Sequence, residues 1–292
     1  PDFVIPVDYG GFNIRICKVA FKLKIPVYYY IPPKIWAWNQ KRVKKLKAFT
    51  KIAFVINPFE LDFYTSRGVN AIYVGNPSAY EISKHQFNLK FKSQHGFDPL
   101  KKLIGIFPGS RKKEVERLTP VFLEAAEKYH EMNPETEFAV CQPNTIEDNF
   151  YEPYLKKHAF NIKVIKNENF DLMKSSDFLI LKSGTTTLEA GLIETPMIVC
   201  YILDPITYAL AKIFVKIPLV SLVNLNLKSE AVKELMQSKV TCENIVNEMV
   251  KAMKPENYHE IKSSLKELAK ISGLKNPAIC TADAIFKDFN KN

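Results

Sequence analysis

The chain has few cysteines and no apolar segment long enough to cross a membrane. Its five cysteines are odd in number and widely spaced, and no two form a C-x-x-C pair. This pattern argues against a zinc or redox site and favours free thiols in a reducing cytosol. The most apolar region, residues 198–223, is interrupted by Asp204, Lys212 and Lys216, so it falls short of the roughly 18 apolar residues of a transmembrane helix. No signal peptide is recognisable.

Common fingerprints of nucleotide and metal sites are missing as well. The sequence contains no G-x-G-x-x-G, Walker A, H-E-x-x-H or D-x-D motif, and no repeat of fixed period. Ligand binding therefore has to be sought in less familiar turns.

An excess of positive charge is present instead. The 292 residues include 41 Lys and Arg against 31 Asp and Glu, a net charge of +10, and 47% of them are hydrophobic. This length and composition can supply the cores of two domains. The charge favours nucleic acid, an anionic membrane surface or phosphorylated small molecules as partners.

Short apolar strands alternate with amphipathic helices, a pattern typical of α/β proteins with doubly wound parallel sheets. It predicts two tandem Rossmann-like domains with a cleft between them. We expect the first domain at residues 1–77, a linker at 78–102, the second domain at 103–273 and a terminal helix within 274–292. Ligands of such sheets bind beyond the carboxyl ends of the strands, which directs attention to the turns there.

The start of the sequence suggests that the first domain is incomplete. The chain begins with Pro1 rather than Met and enters at once the apolar segment Phe3–Val7, which predicts an internal strand. Strands that would flank it are not in the sequence as written.

Two turns after predicted strands are suited to phosphate. In the first, Gly109 allows close approach of the backbone, while Ser110 and Arg111 offer a hydroxyl and a guanidinium. An ordinary helix-initiating turn with an exposed Arg would look the same. In the second, Ser183, Gly184 and Thr185 open a helix, where hydroxyls and free N–H groups can hold an anion. Ordinary helix capping is the alternative for this turn.

Together the two turns predict a diphosphate held between them, with Glu189 accepting hydrogen bonds from sugar hydroxyls. A carboxylate of the first domain, Asp8, ends the predicted opening strand. It is a candidate general base, although an Asp at this position more often caps a helix.

The only two tryptophans, Trp36 and Trp38, stand directly before a dense basic run. Five basic residues follow within seven positions: Lys41, Arg42, Lys44, Lys45 and Lys47. A surface that meets an apolar and anionic partner would have this composition, and residues 213–216 are a weaker candidate for the same role. Burial of both tryptophans in the core is the alternative.

Over nearly its whole length the chain resembles the lipid-A-disaccharide synthases, bacterial glycosyltransferases of the GT-B architecture with two Rossmann-like domains. The resemblance is carried by seven segments in the family's order: VDYGGFN, PPKIWAWNQKR, NPFELDFY, YVGNP, FPGSRKKEV, SGTTTLEA and SLVNLNLKSEAVKELMQ. The chain departs from the family's pattern at Gly10, Gly11, Asn76 and Ser229. The family's first strand and its G-E-x-S-G-D loop, which precede Asp8 in the family, are absent.

The resemblance implies that UDP-2,3-diacylglucosamine and 2,3-diacylglucosamine 1-phosphate are joined with release of UDP and inversion, without a metal or cofactor. Asp8 then matches the family's essential aspartate. The implied UDP-sugar contacts are Gly109, Ser110, Arg111, Ser183, Gly184, Thr185, Glu189, Asn224 and Glu230. The implied membrane-facing residues are Trp36, Trp38, Lys41, Arg42, Lys44 and Lys45.

The resemblance also implies a cytoplasmic enzyme held at the inner face of the inner membrane of a Gram-negative bacterium. A homodimer through the C-terminal helices is expected, and nucleic acid is not an expected partner. We expect the sequence as written to bind UDP without forming the disaccharide. The alternatives are another GT-B glycosyltransferase or epimerase of UDP-sugars, a catalytically inactive fragment and, more remotely, a basic nucleic-acid-binding module.

Overall fold

A computed structural model describes residues 1–158, 160–204, 208 and 219–290. Among these residues the chain forms two compact units. Unit 1 contains residues 1–84 and the chain from residue 271 onward, and unit 2 contains residues 85–204 and 219–270. The weaker membrane-facing candidate, residues 213–216, lies outside the described residues.

Unit 1 is built on a parallel three-stranded sheet in the order β1-β2-β3. Its first elements are α1 (Gly10–Lys22), β1 (Tyr28–Tyr30), α2 (Val43–Phe49), β2 (Ile52–Val55), α3 (Pro58–Thr65), β3 (Ala71–Tyr73) and α4 (Pro77–Lys84). All four residues of the central strand β2 are buried, as expected for a parallel strand covered on both faces. A 3₁₀ turn at Gln40–Arg42 leads into α2.

The main difference between the predicted and the observed structure of this unit concerns the opening strand. Residues 3–7 form no continuous strand, because only isolated parallel bridges join Val4 to Val27 and Val7 to Tyr30. These bridges still place the segment beside β1, so Asp8 leaves it at the carboxyl end of the sheet.

Unit 2 holds a fully parallel six-stranded sheet in the order β6-β5-β4-β7-β8-β9. Its strands are β4 (Lys102–Phe107), β5 (Thr136–Gln142), β6 (Ile162–Lys166), β7 (Phe178–Lys182), β8 (Met197–Tyr201) and β9 (Lys233–Met236). The helices are α5 (Phe91–Gln94), α6 (Lys112–Met132), α7 (Glu152–Leu155), α8 (Asn169–Ser175), α9 (Thr185–Leu192), α10 (Leu222–Leu227), α11 (Cys242–Ala252) and α12 (Pro255–Ser272).

The core of unit 2 lies between the sheet and the helices that cover it. One face of α6 is buried against the strands through Val115, Leu118, Phe122 and Tyr129, at the spacing of an amphipathic helix. The expected α/β class with two parallel sheets is confirmed. Helix α5 and all of α4 except its first residue lie within the segment that the sequence analysis treats as a linker, whose bounds stay a prediction.

The C-terminal helix α13 (Pro277–Phe289) belongs to unit 1. Its Ile285 is buried in a cluster with Tyr28, Phe54 and Val74. Asp288 accepts a hydrogen bond of 2.6 Å from the Tyr28 hydroxyl and lies 2.7 Å from Nζ of Lys51. Apolar and charged contacts thus hold this helix to strands near the start of the chain.

The cysteines are free thiols, as the sequence predicts. All five cysteines are free, and four of them are buried. Within the described ranges, no helix combines the length and the hydropathy needed to span a bilayer.

Candidate active site

The turn after β4 has the backbone shape that an anion-binding loop needs. Gly109 has a φ of 127°, in the region that side chains other than glycine rarely enter. The Ser110 carbonyl accepts a hydrogen bond from the Thr145 hydroxyl, which ties this turn to the loop after β5. Arg111 precedes α6, and 83% of its side chain is exposed, so its guanidinium is open to a ligand.

The turn after β7 presents a second helix start. The Ser183 N–H donates to the Cys200 carbonyl, and Gly184 precedes the first residue of α9. Thr185 is exposed, whereas the Thr187 hydroxyl donates to the Gly184 carbonyl at 2.8 Å. Thr185 thus presents an exposed side chain at the start of α9, and the start of a helix is a position where an anion can bind.

The two turns lie side by side at the point where the strand order reverses. β4 and β7 are adjacent parallel strands, with Phe107 paired to Leu181 just before the turns. Successive strands run from β4 to one edge through β5 and β6, and to the other through β7, β8 and β9. The carboxyl ends of strands at such a switch point form the usual ligand crevice of α/β sheets.

Glu189 lies on α9 near the end of β5. Burial raises the pKa of the Cys141 thiol to about 12, and the nearby carboxylate of Glu189 adds to the shift. Because Cys141 is the penultimate residue of β5, Glu189 is placed near the same edge of the sheet as both turns.

Asn224 has a structural role that the sequence analysis does not anticipate. Its side chain is fully buried. Its amide nitrogen donates to the Val232 carbonyl at 2.8 Å and to the Glu234 carboxylate at 2.7 Å, and its oxygen accepts from the Val232 N–H at 3.0 Å. These bonds join α10 to the start of β9 and engage both N–H donors of the Asn224 amide within the protein, so the predicted UDP contact of this residue stays a prediction.

Glu230 is also displaced from the expected site. It is exposed and pairs with Lys233 at 3.2 Å. It lines a surface cavity together with Phe178 and Met197, the first residues of β7 and β8. The amino ends of parallel strands lie opposite their carboxyl ends, so Glu230 is on the wrong edge of the sheet to bind the same ligand as Arg111.

Asp8 occupies a constrained bend in unit 1. Its φ is 45°, and the next residue, Tyr9, has a φ of 42°. The Asp8 carbonyl accepts hydrogen bonds of 2.8 Å from both the Tyr29 hydroxyl and the Asn13 side chain, while the side chain is exposed. Unfavourable backbone geometry that the surroundings hold in place often marks functional positions.

The packing around Gly10 accounts for the glycine at this position, which departs from the family pattern. A Cβ atom placed on it would lie 2.3 Å from Cγ of Pro33. The close packing of α1 against Pro33 therefore excludes any larger residue at this position.

Trp36 does not belong to the expected membrane-facing surface. It is 7% exposed, its ring lies 4.8 Å from that of Phe59, and its indole N–H donates to the buried carboxylate of Glu60. The structure corrects the expectation for this residue, because an indole with a buried partner is a core side chain.

Trp38 and the basic residues remain at the surface of unit 1. Trp38 is 46% exposed, and the guanidinium of Arg42 lies 4.6 Å from its ring centroid. Lys41, Lys44, Lys45 and Lys47 are exposed. The exposed indole of Trp38 and the neighbouring positive charges match the composition expected of a surface that binds an anionic partner.

The sequence analysis overlooks two charged residues beside the turns. Glu114 and Lys182 form an ion pair of 3.0 Å between the start of α6 and the end of β7. Only their positions mark these residues in the sequence. Glu114 stands three residues after Arg111, and Lys182 stands immediately before Ser183.

Comparison with known proteins identifies the family. A family model described as lipid-A-disaccharide synthetase matches residues 1–288. The lipid-A-disaccharide synthase of Trichlorobacter lovleyi is 38% identical over 89% of this chain and 68% of its own length. That of Nitrosococcus oceani is 36% identical over 87% of this chain and 66% of its own length. The chain thus spans about two thirds of the length of these relatives.

Solved structures share the fold at low identity. The UDP-GlcNAc 2-epimerase of Neisseria meningitidis bound to UDP-GlcNAc has a TM-score of 0.62 and 16% identity, covering 98% of this chain and 76% of that one. A spinosyn rhamnosyltransferase complexed with thymidine diphosphate has a TM-score of 0.60 and 13% identity, covering 99% and 73%. Likeness at this identity shows the fold alone, which is the expected one.

Proposed function

Because this chain belongs to the lipid-A-disaccharide synthase family, we propose that it serves to transfer a 2,3-diacylglucosaminyl group from UDP to 2,3-diacylglucosamine 1-phosphate. The products are lipid A disaccharide 1-phosphate and UDP. The single observation that supports this most strongly is the pair of turns at Gly109–Arg111 and Ser183–Thr185, which end the two strands at the switch point of unit 2.

The nucleotide part of the donor binds unit 2 in this proposal. N–H groups at the starts of α6 and α9, together with the Arg111 guanidinium, hold the diphosphate. Glu189 accepts hydrogen bonds from sugar hydroxyls. These groups stabilise the negative charge that grows on UDP as the glycosidic bond to the diphosphate breaks.

The proton of the acceptor hydroxyl passes to Asp8. The hydroxyl oxygen attacks the anomeric carbon from the face opposite UDP, which inverts that centre. Two hydrogen bonds to the Asp8 carbonyl and its exposed side chain support this role, since they fix the backbone and leave the carboxylate accessible to a substrate.

An anionic membrane surface is the second proposed partner. Trp38 and the exposed lysines of residues 41–47 support it, and we place the working protein at the inner face of the inner membrane. The expected homodimer through the C-terminal helices stays a prediction.

Titration calorimetry with UDP on this chain tests the nucleotide site. We expect Arg111→Ala to weaken UDP binding by roughly 1.5–3 kcal/mol, the range for a hydrogen bond to a charged group. Arg67→Ala, which removes an exposed arginine of unit 1, is the control and should keep the wild-type affinity. Equal UDP affinity in the Arg111 variant and the wild type would show that the diphosphate is held elsewhere.

The reaction itself is tested on the full-length natural protein with both lipid substrates. Mass spectrometry should detect the disaccharide and free UDP in equal amounts. An epimerised UDP-sugar with no disaccharide would favour the alternative activity of the proteins that share the fold.

A further inference from the structure

Lys182 ends β7 immediately before the Ser183–Thr185 turn. Only 17% of its side chain is exposed. Its Nζ lies 3.0 Å from Oε1 of Glu114 and 5.5 Å from the ring centroid of Tyr201. A lysine at a strand end ordinarily extends into solvent. The Lys182 side chain is instead largely buried beside the ligand crevice.

The Lys182 side chain lies between the two glycine turns. A Cβ atom placed on Gly184 would be 3.8 Å from its Nζ, and one placed on Gly109 would be 3.7 Å from its Cδ. At Gly184 nothing else comes within 4 Å of that position, whereas at Gly109 the Cβ would also lie 3.0 Å from Oε2 of Glu114, so Gly184 leaves open the space next to the Lys182 ammonium. A diphosphate held by the two turns would meet the ammonium at contact distance.

Glu114 fixes the position of that ammonium. Its Oε1 lies 3.0 Å from Lys182 and 3.6 Å from Nη1 of Arg111. Its Oε2 is buried and has no hydrogen-bond partner among the residues that the structure describes. One carboxylate thus faces two cations at the mouth of the site. An ammonium has three N–H donors, so a lysine bound to one carboxylate oxygen can still donate to phosphate.

We propose that Lys182 is a diphosphate-binding residue of this site, positioned by Glu114 to stabilise the leaving UDP. This inference rests on the proposed function. As the bond between the anomeric carbon and the β-phosphate oxygen breaks, its electron pair passes to that oxygen. The ammonium of Lys182 donates to the oxygens that carry the resulting charge.

The test compares UDP with uridine as ligands of Lys182→Met. The variant should bind UDP about 10- to 100-fold more weakly, the loss of one charge-assisted hydrogen bond. Binding of uridine, which lacks the diphosphate, should stay within about twofold. Lys182→Arg keeps the charge and should retain most of the UDP affinity.

Lys166→Met is a matched control. Lys166 ends the parallel strand β6 of the same sheet and also pairs with an acidic residue, Asp148. It should leave the affinities for both ligands unchanged.

A second measurement uses the wild-type chain and does not depend on the folding of a variant. Lysine acetylation is followed by peptide mass spectrometry with and without UDP. UDP should slow the modification of Lys182 several-fold and leave that of Lys166 unchanged.

Two outcomes overturn the inference while the proposed function stands. In the first, UDP binds the wild type, and Lys182→Met has the same UDP affinity or loses UDP and uridine affinity equally. In the second, UDP leaves the acetylation of Lys182 unchanged. A wild-type chain that binds neither ligand overturns the proposed function, and the inference with it.

Discussion

The indole N–H of Trp36 donates a hydrogen bond of 2.9 Å to the Glu60 carboxylate inside unit 1. Both side chains are almost fully buried. The second oxygen of Glu60 accepts from the N–H and the side-chain amide of Asn57, at 3.2 and 3.1 Å. The carboxylate therefore joins the tryptophan segment to the start of α3.

Trp36→Phe should destabilise unit 1 by about 2–4 kcal/mol, because it leaves a buried carboxylate oxygen without its donor and removes part of a packed ring. Trp38→Phe at the exposed site should cost less than about 1 kcal/mol. Urea unfolding followed by tryptophan fluorescence reports on this unit, since both tryptophans belong to it. Similar unfolding midpoints in the two variants would contradict the burial of Trp36.

The stability of unit 1 should depend on pH through Glu60. Burial raises the pKa of this carboxyl, and hydrogen bonds from Trp36 and Asn57 oppose the shift. A carboxyl whose pKa is raised by folding contributes most to stability below its unfolded value of about 4.3. That contribution is lost as the pH rises through the folded-state pKa.

The free energy of unfolding of the wild type should therefore fall relative to Glu60→Gln as the pH rises above about 4.3. Glu81→Gln, an exposed glutamate of α4, should show no such trend. A constant difference between the wild type and Glu60→Gln across this range would refute the shift.

Asp8→Asn should lower turnover of the full-length protein by about 10²- to 10⁴-fold, the usual contribution of a general base. UDP affinity should be unchanged. Asparagine adopts positive φ values readily, so the bend at this position is preserved. Asp2→Asn, an exposed residue of the same unit, is the matched control, and wild-type turnover in Asp8→Asn would remove the base assignment.

Replacement of Lys44 and Lys45 by alanine should weaken binding to vesicles that contain phosphatidylglycerol. The loss should be about 1 kcal/mol for each lysine and should diminish at high salt. Lys156 and Lys157, an exposed adjacent pair in unit 2, provide the control. Two results would argue against a membrane surface at residues 41–47. The wild type would not sediment with the vesicles, or the Lys44/Lys45 and Lys156/Lys157 double variants would sediment with them equally.

Local patterns predicted the parts of the fold that depend on nearby residues. The turns at Gly109 and Gly184 follow strands, as the sequence predicts. Helix α6 begins at Lys112 and continues through Pro120, a residue type that usually kinks or ends a helix. Packing of its apolar face on the sheet outweighs the usual cost of an internal proline.

Residues whose roles depend on distant partners could not be placed from the sequence. The burial of Trp36 requires Glu60, and the hydrogen bonds of Asn224 require Val232 and Glu234. Glu230 matches a family segment, but strand direction puts it at the opposite edge of the sheet from Arg111. Lys182 acquires its position only through Glu114, which lies on another element.

The contacts of α13 with β1 and β2 have a consequence for synthesis on the ribosome. Tyr28 and Lys51 emerge early, but their partner Asp288 emerges only after all of unit 2, residues 85–204 and 219–270, has been translated. Contacts between residues so far apart in sequence form slowly. One apolar face of β1 and β2 therefore stays uncovered during synthesis, while unit 2 can already fold. We expect nascent chains that stop before residue 277 to be sensitive to protease within residues 1–84 and resistant within unit 2.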